Sequence, residues 1–95
     1  MTTNAKPTIH SNGSSPEVMG NAYYEAYDAL REAMEYLQKT CPHGRDYYPQ
    51  DNGAVCGSNY IKAREEHKER MLALDAIMKD MIVLYKHVRK ENDNG

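Results

Sequence analysis

The sequence predicts an all-α fold, an antiparallel two-helix hairpin with a long structured loop, completed by oligomerisation into a helical bundle. Three observations predict it. Two stretches carry apolar residues at alternating spacings of four and three, a turn-rich segment separates them, and the second stretch has more apolar surface than the first can cover. Ninety-five residues allow one domain. A single layer of helices of that size is marginal without a further packing surface.

Residues 1–15 are rich in Thr, Asn, Ser, Gly and Pro, with Ile9 the one sizeable apolar side chain after Met1. They read as a flexible N-terminal arm. The hairpin domain then spans residues 16–92. Its first helix covers about 16–40 and opens at Ser15-Pro16-Glu17, where Ser caps, Pro suits the first helical position and Glu suits the positive end of the dipole. Gly20 is a place where this start could fray. Tyr23, Tyr27, Leu30, Met34, Leu37 and Cys41 form the seam of the first helix. Ala22, Ala26, Ala29 and Ala33 flank it, small enough to let another helix come close. A Glu35–Lys39 pair is expected one turn apart on its surface.

Pro42, Gly44, Pro49, Asp51-Asn52-Gly53 and Gly57 make residues 41–58 a loop. It is long for a connection between antiparallel helices, where roughly 2–8 residues is usual. Tyr47, Tyr48 and Val55 give it something to fold with. The second helix covers about 59–91. Its seam is Tyr60, Arg64, His67, Met71, Leu74, Met78, Met81, Tyr85 and Val88, widened by Ile77, Ile82 and Leu84 to about half the circumference. The expected oligomer interface is Ile77, Met81, Leu84 and Val88. The charged stretch from Lys62 to Arg70 reads as a solvated face with Lys62–Glu66 and Glu66–Arg70 pairs.

Composition narrows the function classes. The net charge is −2, with 4 basic and 7 acidic side chains in residues 1–58 and 8 and 7 in residues 59–95. That balance disfavours a nucleic-acid binder. The longest run of large apolar residues, Met81 to Tyr85, is far short of the roughly 20 that cross a bilayer. No secretion signal is evident, so a cytoplasmic location is expected, with Cys41 and Cys56 as thiols. Phe and Trp are absent and Tyr occurs 8 times. Such rings favour half-wet sites and interfaces.

Candidate chemistry lies at the loop end. Cys41, His43, Cys56 and His67 are zinc-ligand types, but the spacing C-x-H-x12-C-x10-H fits no standard finger; two unrelated thiols is the plainer reading, with a loop-closing disulfide between Cys41 and Cys56 the other alternative. Neither a metal nor any other cofactor is expected. The same four residues are the one set that could supply a thiol nucleophile and its base, and no catalytic motif accompanies them, so no enzyme is expected. Arg64 and His67 are different: they occupy seam positions where apolar residues are expected, so each needs a partner or a wet pocket. Asp46 could pair with Arg64 and pin the loop, with Tyr47 or Tyr48 packed on the hairpin. Alternatively Arg45, Asp46, Tyr47, Tyr48, Arg64 and His67 form a binding site.

The block Arg45-Asp46-Tyr47-Tyr48-Pro49-Gln50, followed by a helix with Ala63, Glu66-His67 and Arg70, resembles small helical-hairpin proteins encoded by phages and prophages. The resemblance spans residues 41–90, and the segment Ala54 to Gly57 with Cys56 is not part of its pattern. It implies a phage-type accessory protein acting in the host cytoplasm and carries no activity with it. The functional expectation is a self-associating, non-enzymatic protein that binds a host protein, in an inhibitor or counter-defence role. The alternative is an oligomer that binds or sequesters a small ligand such as a nucleotide, with a nucleic-acid regulator behind both.

Overall fold

Ser15 begins the first helix, as its sequence suggests. Its hydroxyl accepts a hydrogen bond from the Val18 amide at 3.2 Å, and Pro16 occupies the first turn. In the computed structural model, which describes residues 5–54 and 56–94 (93 and 94 by backbone alone), α1 runs Pro16–Gln38 without a break at Gly20. It stops a little short of the expected end. The Lys39 and Thr40 amides bond three residues back to Tyr36 and Leu37, and the Thr40 hydroxyl donates to the Leu37 carbonyl at 2.7 Å. These bonds tighten and close the last turn. Cys41, expected on the seam, therefore lies past the helix end and is exposed.

A single 3₁₀ turn at Gly44–Asp46 leads into the loop, and α2 spans Ser58–Asn94. This second helix outruns its expected end because nothing after Lys90 breaks a helix until Gly95. The described residues contain these two α-helices and no strand. No helix among them is long and apolar enough to cross a membrane. Val55 and residues 1–4 of the arm lie outside the described residues.

The two helices pack against each other. Near the start of α1, Tyr24 packs against Tyr85 of α2 with ring centroids 5.4 Å apart and the rings tilted by 53°, and a Cβ on Gly20 would touch the same ring at 3.9 Å. The seam residues Tyr23, Tyr27, Leu30, Met34 and Leu37 are all half-buried, as are Met71, Leu74, Met78 and Met81 opposite. Closure is complete only near the far end of α2, where Val88 is fully buried and Leu84 nearly so. Leu84 and Val88 are thus covered within the chain rather than left open for a second copy. Ile77 stays exposed and Met81 half-buried.

Part of the cover at this end comes from the arm. Residues 5–15 form no helix or strand, yet the Pro7 carbonyl meets His87 Nε2 at 2.7 Å. Ile9 is half-buried beside Glu91 and Asn92. The molecule is a rod of 65 × 21 × 17 Å with an accessible surface of 6981 Å². A compact chain of this mass would expose about 5600 Å². Much apolar surface stays wet as a result.

Surface ion pairs follow the helix ladder with two substitutions. Arg31 takes both Asp28 (3.2 Å) and Glu35 (3.3 Å), so the Glu35–Lys39 pair is not made and Lys39 lies over the Tyr36 ring instead. Asp28, by hydrogen bond and charge, and then Glu35 by charge hold the Arg31 guanidinium above its ordinary pKa. Glu66 pairs with Arg70 at 3.5 Å, as expected, rather than with Lys62.

Candidate functional site

The loop owes its shape to Asp51. Its carboxylate reaches the first turn of α2, accepting from the Asn59 amide (3.1 Å), the Asn59 side chain (2.8 Å) and the Tyr60 amide (3.2 Å). A negative group at that position satisfies donors that the helix leaves free and meets the positive end of its dipole. The approach is so close that a Cβ on Gly57 would collide with the Asp51 side chain. Asn52 (φ 56°) and Gly53 (φ 85°) turn the chain back with two left-handed residues, which Asn and Gly tolerate best.

This cap decides where the Arg45–Gln50 block goes. It draws the loop back onto the first residues of α2, where the loop meets Tyr60. The Tyr47 ring packs 6.3 Å from that of Tyr60, which fulfils the expectation that one loop tyrosine rests on the helices. Arg45, Asp46 and Tyr48 are exposed. Asp46 makes no ion pair with Arg64, whose guanidinium lies 5.7 Å over the Tyr60 ring instead. The loop pin is Asp51, and the six-residue cluster expected from sequence divides into separate parts.

What remains together is a groove of about 580 Å³ between Cys41, just past the end of α1, and the first turns of α2. It is lined by Cys41, Ile61, Arg64, Glu65, His67, Lys68 and Met71. Ile61 and Met71 supply apolar wall, and Arg64 and Lys68 stand one turn apart on the same edge. Arg64, at a seam position expected to face the first helix or the loop, is exposed at the rim, whereas His67 is nine-tenths buried. Sequence reasoning missed Ile61, Glu65 and Lys68. For Ile61 and Lys68, the spacing of three and four residues from Arg64 and Met71 was the signal available.

The cysteines do not converge. Cys41 and Cys56 are free and exposed, and the Cys41 thiol has the Pro42 carbonyl as its polar neighbour, at 3.9 Å. Among the described residues no three His, Cys, Asp or Glu side chains come together as a metal set, so Cys41, His43, Cys56 and His67 do not form a zinc site there. A thiol activated for catalysis needs a base within hydrogen-bond reach. Neither imidazole is bonded to Cys41. The groove as built offers binding chemistry, two cations, an imidazole and an apolar wall. Asp80 is a further residue the sequence reading passed over. It is 8% exposed, one turn before Leu84 on the closed part of α2.

No family model, curated protein or solved structure matches this chain.

Proposed function

We propose that the chain is a helical hairpin that self-associates into a bundle and acts as a non-enzymatic protein-binding module. The carrying observation is an uncovered face on α1. Val18, Ala22, Ala26, Ala29, Ala33 and Tyr36 follow one another at helical spacing beside the seam. Val18 and Tyr36 are 64% and 60% exposed, the alanines at 22, 29 and 33 are also exposed, and Ala26 is half-buried. Alanines let two helices approach closely, and here bulky residues stand at both ends of the row.

A second copy of the same helix fits this face. In an antiparallel pair, Val18 meets Tyr36 of the other copy, Ala22 meets Ala33 and Ala26 meets Ala29, all about one midpoint near residue 27. This is the self-complementary arrangement of a two-fold interface. The surface in excess of a compact monomer, about 1400 Å², exceeds the roughly 800 Å² that each partner buries in a standard interface. In the same pair Glu25 approaches Glu32 of the other copy, so association tightens as salt screens that repulsion.

The bundle then presents the loop ends outward, with exposed Arg45 and Tyr48 as anchors for another protein. The phage-type resemblance makes a host protein the natural partner, with inhibition as the simplest role for so small a chain. Light scattering tests the self-association, and capture from host lysate with Tyr48→Ala as the control tests the partner step. A monomer at micromolar concentration, or capture that Tyr48→Ala and Arg45→Ala leave unchanged, would overturn the corresponding half.

A further inference from the structure

We infer that the groove beside Arg64 and Lys68 is a binding site for a small organic anion, a phosphate or carboxylate carried on an apolar body. This goes beyond self-association and does not depend on it, since no residue of the α1 alanine face lines the groove.

His67 is nine-tenths buried, and it makes no hydrogen bond among the described residues. Burying an imidazole without a partner costs stability, and a purely structural seam would place Leu there. Among the described residues no side-chain nitrogen or oxygen that is sealed from solvent lacks a partner. The His67 ring nitrogens therefore keep a small opening to solvent, and His67 is one of the residues that line the groove. A ring held this way offers one donor and one acceptor to whatever enters.

The charges above it point the same way. Among the described residues Arg64 makes no salt bridge and lies over the Tyr60 ring, and Lys68 makes none either. Elsewhere on the two helices Arg31, Arg70 and Lys79 each find a carboxylate one turn away. Arg64 and Lys68 instead stand as like charges at i, i+4, an arrangement that disfavours the helix slightly unless an anion joins them. Glu65 sits at the same rim without bridging to Lys68, leaving two cations against one anion.

The size and lining select the rest of the ligand. A volume of about 580 Å³ lies within the range of small-molecule sites, which are mostly apolar with a few polar groups fixing orientation. Ile61, about half-exposed, and Met71 form an apolar wall beside the cations. An isolated phosphate would leave that wall empty. An aryl phosphate or aryl carboxylate uses both parts, with its anionic end between Arg64 and Lys68 and its ring on Ile61 and Met71.

The test is an NMR titration of the full chain with phenyl phosphate, phenylpropionate and inorganic phosphate. Phenyl phosphate or phenylpropionate, or both, should shift the Ile61, Arg64, Lys68 and Met71 signals saturably, with a Kd below about 1 mM. Whichever shifts them more strongly identifies the anion. Arg64→Gln and Lys68→Gln should each weaken binding by about tenfold with helicity unchanged, as loss of a charge-assisted hydrogen bond implies. Ile61→Ala should weaken the aryl ligands and leave inorganic phosphate unaffected. His67→Gln, which keeps a donor and an acceptor, should retain more affinity than His67→Leu. Absence of saturable shifts for both aryl anions would overturn the inference. So would affinity that survives both glutamine substitutions, or inorganic phosphate binding as tightly as phenyl phosphate.

Discussion

Replacing Asp51 with Ala removes the carboxylate that receives three hydrogen bonds from Asn59 and Tyr60, at 2.8 to 3.2 Å. Loss of a helix cap costs about 1 kcal/mol, and loss of a negative charge at the N-terminal end of the dipole adds some tenths to 1 kcal/mol. The expected total is about 2 kcal/mol. For a chain of this length that lowers Tm by about 10 °C. Asp51→Asn keeps an acceptor and loses the charge, so about half of that fall is expected. Asp46→Ala is the decisive companion, because Asp46 is exposed and pairs with nothing on α2. It should change stability by less than about 0.5 kcal/mol. Thermal melts followed by circular dichroism give the three values. Hydrogen exchange then locates the damage, with faster exchange expected at Asn59 and Tyr60 and little change in the middle of α1. An Asp51→Ala protein that melts with the wild type, or an Asp46→Ala protein that loses as much, would refute the assignment of the loop pin.

Two further outcomes test the packing of the rod. Val88 is fully buried and Leu72 is 58% exposed, so Val88→Ala should cost about 2 kcal/mol in denaturant titration while Leu72→Ala stays within about 0.5 kcal/mol. His87→Ala removes the bond to the Pro7 carbonyl and should cost about 1 kcal/mol, with faster amide exchange in residues 8–14 and over Val88. His87→Gln can still donate to that carbonyl and should recover part of the loss.

Helix positions were legible because apolar spacing and capping residues are local properties. Ser15-Pro16 marked the start of α1, and the four-and-three rows marked both seams. The ends were less legible, since the Thr40 hydroxyl and the absence of a breaker after Lys90 decide them by individual bonds. The loop was read with the wrong acid. Asp46 and Asp51 are equally plausible from sequence, and only the close approach that Gly57 permits selects Asp51. Arg45 and Tyr48 are exposed and do not line the groove that His67 lines. Coverage within the chain was also hidden. Closure at Leu84 and Val88, and the arm resting by Pro7 on His87, depend on contacts between residues up to 80 apart in sequence. An exposed row also lies on α1 at the alanine flank, while on α2, expected to carry the interface, Ile77 stays exposed and Leu84 and Val88 are buried.

The central claim is that the α1 alanine face joins two copies of the chain. Sedimentation equilibrium at micromolar concentration, in low and high salt, tests it most directly with wild-type protein and Ala29→Glu. The account predicts a mass of twice the 10.9 kDa chain, or a multiple of that pair, with tighter association in high salt. Ala29→Glu should shift the mass to a monomer that keeps its helicity. A wild-type monomer at 10.9 kDa under both conditions, or an Ala29→Glu protein with unchanged mass, would contradict it.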